Sequence, residues 1–126
     1  MNQENSAKNV VVLGASPKPE RYSNQAVVDL LKYGHQVFPV HPLAEEIHGQ
    51  ACYTALDKID QAVNTITLYV GAARSDTLAE SIFALKPKRL IMNPGAENDK
   101  LEAEAEKRGI EVVRGCTLVM LRTQQF

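Results

Sequence analysis

The stretch Asn9-Val-Val-Val-Leu-Gly-Ala-Ser-Pro-Lys-Pro-Glu-Arg-Tyr-Ser-Asn24 decides how the rest of this chain is read. Val10 to Leu13 is a continuous apolar, largely β-branched run, the pattern of a strand covered on both faces. Gly14 follows where the backbone must turn without a Cβ. The next residues form a polar loop with two prolines, two cations and two serines, and from about Asn24 the spacing changes to that of an amphipathic helix. A buried strand, a glycine turn and a helix start make an anion site, because free backbone N–H groups and the helix dipole both favour negative charge.

Working outward, the helix runs to Tyr33 with Val27, Leu30 and Leu31 on one side, Ser23 or Asn24 as its N-cap and Gly34 after its end. His35–Val40 reads as a second strand, with Pro39 confined to a strand end or bulge. Leu43–Ile47 reads as weakly helical and is broken at Gly49, and Ala55–Asp60 as a single helical turn. Thr65–Val70 is a third strand, and a helix over Ser75–Leu85 carries the capping-box pair Thr77 and Glu80. Arg89–Met92 is a fourth strand ended by Asn93-Pro94-Gly95, Asp99–Arg108 a charged helix, Ile110–Val113 a fifth strand, and Thr117–Phe126 a tail with a short helix. Strands alternating with helices imply a Rossmann-like, doubly wound α/β domain: a five-stranded parallel sheet with helices on both faces. Met1 to Lys8 reads as a flexible polar leader without the apolar segment of a signal peptide, ahead of a single domain over 9–126.

A net charge of −1 argues against general nucleic-acid or anionic-membrane binding, so any polyanion must be held by a local cluster. No apolar run approaches the roughly 20 residues of a membrane span. Cys52 and Cys116 stand far apart and outside any Cys-x-x-Cys pair, which speaks against zinc or a disulfide framework and for a reduced, cytoplasmic setting. His35 and His48 read as surface residues with nothing to pair them into a metal site. His41 reads as a ligand contact or a strand-end histidine; no nucleophile or carboxylate is tied to it, so it is given no catalytic role. Cys116 follows the fifth strand, where the default is an inert buried thiol and the sharper alternative a mixed disulfide with a thiol ligand. Tyr22 and Tyr69 face either a ligand or the core.

In doubly wound sheets ligands lie outside the carboxyl ends of the strands. The loop Gly14-Ala15-Ser16-Pro17-Lys18-Pro19 lacks the second and third glycines of the Gly-x-Gly-x-x-Gly fingerprint, and no acidic residue follows the second strand at His41-Pro42. NAD(P) is therefore disfavoured, and the Walker pattern is absent. What remains is a loop that places side chains as well as backbone on a phosphate, with Ser16 and Ser23 as hydroxyls and Lys18 and Arg21 as charges. The two cations could be ordinary solvated loop charges; their place beside a helix N-terminus favours the phosphate reading.

On Gly14-Ala-Ser-Pro-Lys-Pro-Glu-Arg-Tyr-Ser-Asn24, on Val37-Phe-Pro-Val-His-Pro42 and more loosely on Ile47-His-Gly-Gln-Ala-Cys-Tyr53, the chain resembles the small stand-alone CoA-binding domains related to the CoA-binding domain of the succinyl-CoA synthetase alpha subunit. The resemblance implies that Gly14, Ala15, Ser16, Lys18, Arg21, Ser23 and Asn24 surround the phosphates of coenzyme A. It implies that His41 and Pro42 flank its adenosine end, and that Val70, Gly71, Asn93, Pro94 and Gly95 line the groove toward the pantetheine. The family usually has Asn at the position of His41, and a Gln or similar residue where this chain has Asn93-Pro94. The synthetase's phosphohistidine belongs to a domain not represented here. The reading that follows is a CoA- or acyl-CoA-binding module without catalytic apparatus, serving in sensing, carriage or regulation, with room for a homodimer or a partner protein. The alternatives are an NAD(P)-dependent oxidoreductase and a ligand-free interaction subunit.

Overall fold

The computed structural model describes residues 7–126. Of the expected leader over 1–8, residues 1–6 lie outside the described residues, while Lys8 is already part of the fold. Its N–H donates to His35 Nδ1 (3.1 Å) and its C=O accepts from Gln36 N (3.0 Å).

β1 (Asn9–Leu13) is the centre of the architecture. Val10, Val11 and Val12 have no exposed surface, and each buried side chain of this size contributes about 1.5–3 kcal/mol. The period-2 alternation sends Val11 and Leu13 to one face and Val10 and Val12 to the other, and each face has its own apolar core. β1 pairs in parallel with β2 (Gln36–Val40) on one side and β5 (Thr65–Leu68) on the other. β6 (Arg89–Met92) and β7 (Glu111–Arg114) extend the sheet to the order β2-β1-β5-β6-β7. α1 (Tyr22–Lys32) and α5 (Thr117–Arg122) cover the Val10 face with Val27, Leu30 and Leu121. α3 (Ala79–Ala84) and α4 (Asp99–Lys107) cover the Val11 face with Ile82, Phe83, Leu101 and Ala105. The chain therefore winds one way from β1 to β2 and the other way from β5 to β7, which puts the topological switch between β1 and β5. The expectation of a five-stranded parallel sheet with helices on both faces holds.

Pro39 sits inside β2 without harm. Its C=O accepts from Tyr53 N (2.9 Å) on the outer edge, so its nitrogen points outward too, and the missing N–H is not one that β1 needs.

Several local expectations are corrected. Glu46–Ile47, expected to be weakly helical, is β3 and pairs antiparallel with β4 (Gln50–Ala51). The two central residues of this hairpin, His48 (φ +50°) and Gly49 (φ +79°), both occupy the left-handed region that two-residue hairpin turns require. The turn expected over Ala55–Asp60 is a 3-10 turn at Leu56–Lys58. The helix expected over Ser75–Leu85 starts earlier, as α2 (Ala72–Thr77), and breaks at Leu78 before α3. Thr77 is no cap: its hydroxyl donates to Arg74 O (2.6 Å), and Ser75's donates to Ala72 O (3.2 Å), back-bonds that bend a helix. α1 also starts earlier than expected, so Ser23 and Asn24 lie buried in its first turn and Arg21 holds the N-cap position. The side-chain cap of α4 is Asn98, whose Oδ1 accepts from Leu101 N (3.0 Å) while Nδ2 donates to Ser75 Oγ (2.8 Å) and Asp76 Oδ1 (2.9 Å). His35 is buried, not on the surface: the Phe126 ring lies 5.0 Å from its own, and Lys8 N–H is its partner.

Candidate functional site

The carboxyl ends of β1, β2 and β5 open onto a cleft of about 380 Å³. Its floor is Gly14 and Ala15, its walls are Leu13, Val40, Leu56, Val70 and Leu78, and His41, Pro42, Thr54, Ala55 and Arg74 complete the lining. The cleft lies at the switch point between β1 and β5, from which the chain runs to α1 on one face and to α3 on the other.

Gly14 is required there on two counts. Its φ is +91°, and a Cβ would sit 2.8 Å from Val70 Cγ1 and 3.2 Å from the Tyr69 carbonyl carbon. Ala15 then crosses to the β2 side, donating its N–H to Val40 O (3.2 Å). Beyond it, residues 16–21 form an exposed bend held from within: Lys18 N–H donates to Ser16 Oγ (3.1 Å) and Arg21 N–H to Lys18 O (3.1 Å). α1 begins with no acidic residue in its first turn and no side-chain cap on its amides, which leaves the positive end of its dipole uncompensated from within the helix. Lys18 and Arg21 project from this loop into solvent and add two full charges.

Of the residues named from the sequence, Gly14, Ala15, His41, Pro42 and Val70 meet in the cleft. Ser16, Lys18 and Arg21 stand on the adjoining loop. Gly71, Pro94 and Gly95 are exposed on the turns after β5 and β6. Ser23 and Asn24 are buried beneath the loop, where Asn24 Nδ2 donates to Ser16 O (2.8 Å). Asn93 turns inward: Nδ2 donates to Thr67 Oγ1 (2.7 Å) and Leu68 O (2.8 Å), and Oδ1 accepts from Thr117 N (2.9 Å). Its amide thus ties β6 to β5 and to the start of α5.

His41 does a second job. Its Nδ1 accepts from both Leu43 N (3.0 Å) and Ala44 N (2.8 Å), the contacts that an Asn side chain makes in an Asx turn. Nδ1 and the Oδ1 of Asn sit at the same position along the side chain, so the His-for-Asn departure preserves the turn. With Nδ1 accepting, Nε2 carries the proton and is a donor.

Arg74 was not named from the sequence. The helix expected only from Ser75 left it in the preceding connection, yet alanine is the strongest helix former, and starting the helix at Ala72 brings Arg74 round to the cleft. Tyr22 is exposed, whereas Tyr69 packs into the α1–α5 side of the core. The Tyr69 hydroxyl is buried without a hydrogen-bond partner among the described residues, and burial pushes its pKa up to about 12. It is a donor at neutral pH, not a base. Cys116 and Cys52 are half-buried thiols, Cys116 at the start of α5, and burial pushes Cys52 further from the thiolate. Among the described residues no group of three or more His, Cys, Asp or Glu could hold a metal ion, and no helix is long and apolar enough to cross a membrane.

Sheet order, switch-point cleft and loop-to-helix turn define a Rossmann-like α/β domain. More narrowly, the chain belongs to the CoA binding domain family, whose model matches residues 8–122. A solved structure of an uncharacterized protein is 37% identical, with a TM-score of 0.86 over 96% of this chain and 99% of that one. The chain is 28% identical over 127 residues to the ADP-forming acetate–CoA ligase I of Archaeoglobus fulgidus, covering 93% of itself but 18% of the ligase. It is 21% identical over 107 residues to the uncharacterized Bacillus subtilis protein YneT, covering 85% of itself and 79% of YneT.

Proposed function

We propose that this chain binds coenzyme A or an acyl-CoA on the carboxyl edge of its sheet, as a sensing, carrier or regulatory module of the cytoplasm. In this reading Ser16, Lys18 and Arg21, with the amides at the start of α1, hold the phosphates. The cleft between Gly14, His41 and Val70 takes the adenosine end, and the turns at Gly71 and at Asn93-Pro94-Gly95 border the pantetheine. The observation that carries the reading is the uncapped, acid-free start of α1, joined by the loop 16–21 to the Gly14 turn on the floor of a largely apolar cleft, in a chain of the CoA binding domain family. The name of the A. fulgidus relative supports the same ligand, since an acetate–CoA ligase handles CoA. Among the described residues that line the cleft, His41 has no carboxylate tied to it and its Nδ1 is taken up by the Leu43 and Ala44 amides, so the reading assigns binding and no reaction. NAD(P) remains the weaker reading, for want of the two glycines and of an acidic residue after β2.

The test is a thermal-shift panel of CoA, acetyl-CoA, NAD, NADP and ATP on ligand-stripped protein, repeated on Lys18→Ala/Arg21→Ala. A ligand at about 100 times its dissociation constant adds roughly 2.7 kcal/mol, a shift of several degrees for a chain of this size. The expected result is a shift with CoA species only, reduced in the double variant whose own Tm is unchanged. A shift with NAD or NADP instead would replace CoA by a dinucleotide. No shift at all would leave a ligand-free interaction subunit as the better reading.

A further inference from the structure

The β3–β4 hairpin stands outside the main sheet, yet its tip touches the first turn of α1, beneath the loop that follows β1. His48 Nε2 lies 2.6 Å from Asn24 Oδ1, and Asn24 Nδ2 donates to Ser16 O at 2.8 Å. The direction of both bonds follows from what each atom can do. Ser16 C=O can only accept, so the Asn24 amide nitrogen must face it. Oδ1 therefore faces His48, and as Oδ1 can only accept, His48 Nε2 is the donor.

The rest of the hairpin is immobilised for this contact. His41 Nδ1 pins the segment leading into it through the amides of Leu43 and Ala44, and Cys52 N–H closes it on Glu45 O (2.9 Å). Tyr53 then adds to the β2 edge, exchanging bonds with Pro39 and His41. Ile47, next to the tip, is 2% exposed and packs into the α1–α5 core. His48 itself pays with a left-handed backbone at φ +50°, where Asn or Gly would sit more easily. Neither of those residues could reach Asn24.

We infer that His48 is a positioning residue: through Asn24 it clamps the curvature of residues 16–21 from the hairpin side, so that Ser16, Lys18 and the start of α1 are held in place before a phosphate arrives. The inference rests on the CoA reading of that loop. A loop already ordered has less conformational freedom to lose on binding, so the clamp appears as affinity without touching the ligand.

Two variants separate the clamp from the turn. His48→Asn keeps or eases the left-handed turn and is too short to reach Asn24. His48→Gln restores an N–H donor at a similar distance from the backbone. CoA affinity by calorimetry and amide exchange of Lys18 and Arg21 by NMR in ligand-free protein are the readouts. His48→Asn is expected to hold its Tm, to bind CoA about three- to tenfold more weakly, the worth of one such bond, and to exchange those amides correspondingly faster. His48→Gln is expected to recover both. Wild-type affinity in His48→Asn overturns the inference, as do unchanged exchange rates or a loss that His48→Gln shares equally. Should the wild type itself take up no CoA, the functional reading fails, and the exchange rates alone still decide whether His48 orders the loop.

Discussion

The two ends of the sheet use the same kinds of residue for opposite purposes. At the carboxyl edge Lys18 and Arg21 stand in solvent and Arg74 lines an open cleft. At the amino edge Arg89 and His35 are buried and Lys8 is half-covered, and all three gather on one ring. The Arg89 guanidinium lies 4.4 Å from the centre of Phe126, Lys8 Nζ 5.6 Å and the His35 ring 5.0 Å. Arg89 Nε donates to Thr65 Oγ1 (3.1 Å), while its buried Nη2 has no hydrogen-bond partner among the described residues. Burial lowers the pKa of Arg89, Lys8 and His35 alike, and the proximity of like charges lowers Lys8 and His35 further. The difference teaches that a cation signals a binding site only where the backbone leaves it uncovered. One edge keeps its positive charge available, and the other spends it on closing the core beneath Phe126.

The sharpest way to break this contrast is at Gly14. Gly14→Ala must relieve a 2.8 Å approach to Val70 and hold a side chain at φ +91°. It should cost about 2–3 kcal/mol and deform the cleft floor, lowering Tm and CoA uptake together in denaturant titration and calorimetry. A variant that kept both would mean that the floor is not set by this close approach.

At the other edge Phe126→Ala removes the ring that packs against the Arg89 and Lys8 cations and the His35 imidazole. It should cost about 1–2 kcal/mol of stability, read by urea denaturation, and leave CoA affinity as it was. A drop in affinity would show that the two edges are coupled, since α5 joins the tail to Thr117 and Asn93, and the contrast would have to be redrawn.

The smallest effect belongs to His35. Its pKa is lowered from 6.5 in the folded chain, first by burial and then by Lys8 and Arg89. Below about pH 6.5 the unfolded chain therefore binds a proton that the folded one refuses, and stability falls as the pH falls until the folded pKa is reached. One such group contributes a slope of at most about 1.4 kcal/mol per pH unit. His35→Gln should flatten that part of the stability profile, and an unchanged slope would assign the acid sensitivity to another group.

Much of this was legible in the chain because it is written in periods. The run Val10 to Leu13, the β-branched Thr65–Leu68 segment and the i, i+3 spacing of Val27 and Leu30 each have one way to be buried, and right-handed crossovers leave few ways to arrange the strands. The corrected elements are those whose signal is short or shared. Ile47-His-Gly-Gln carries a two-residue turn with His in place of the usual Asn, and with two paired residues on either side it offered no period to count. Gly71-Ala-Ala fits a turn and a helix start equally, and only the distant Asn98 amide, bonded to Ala72 O, Ser75 Oγ and Asp76 Oδ1, ties α2 in place.

For the site, the amino-acid sequence alone pointed to Gly14 and the loop after it as the place for the proposed phosphate contacts, because a glycine between a buried strand and a helix leaves backbone amides with nothing local to bind. It also determined that cations would have to be supplied locally, the net charge being near zero. Tertiary structure alone decided which polar residues remain free. Asn93 and Asn24, both expected at the ligand, spend their amides on holding β6 and the loop in place, whereas Arg74 reaches the cleft from a helix that starts early. Burial turned His35 into a core residue, and a hairpin invisible to periodicity brought His48 to Asn24. Such assignments depend on which groups meet across long stretches of chain, and a buried amide or imidazole must find its partner wherever the fold places one.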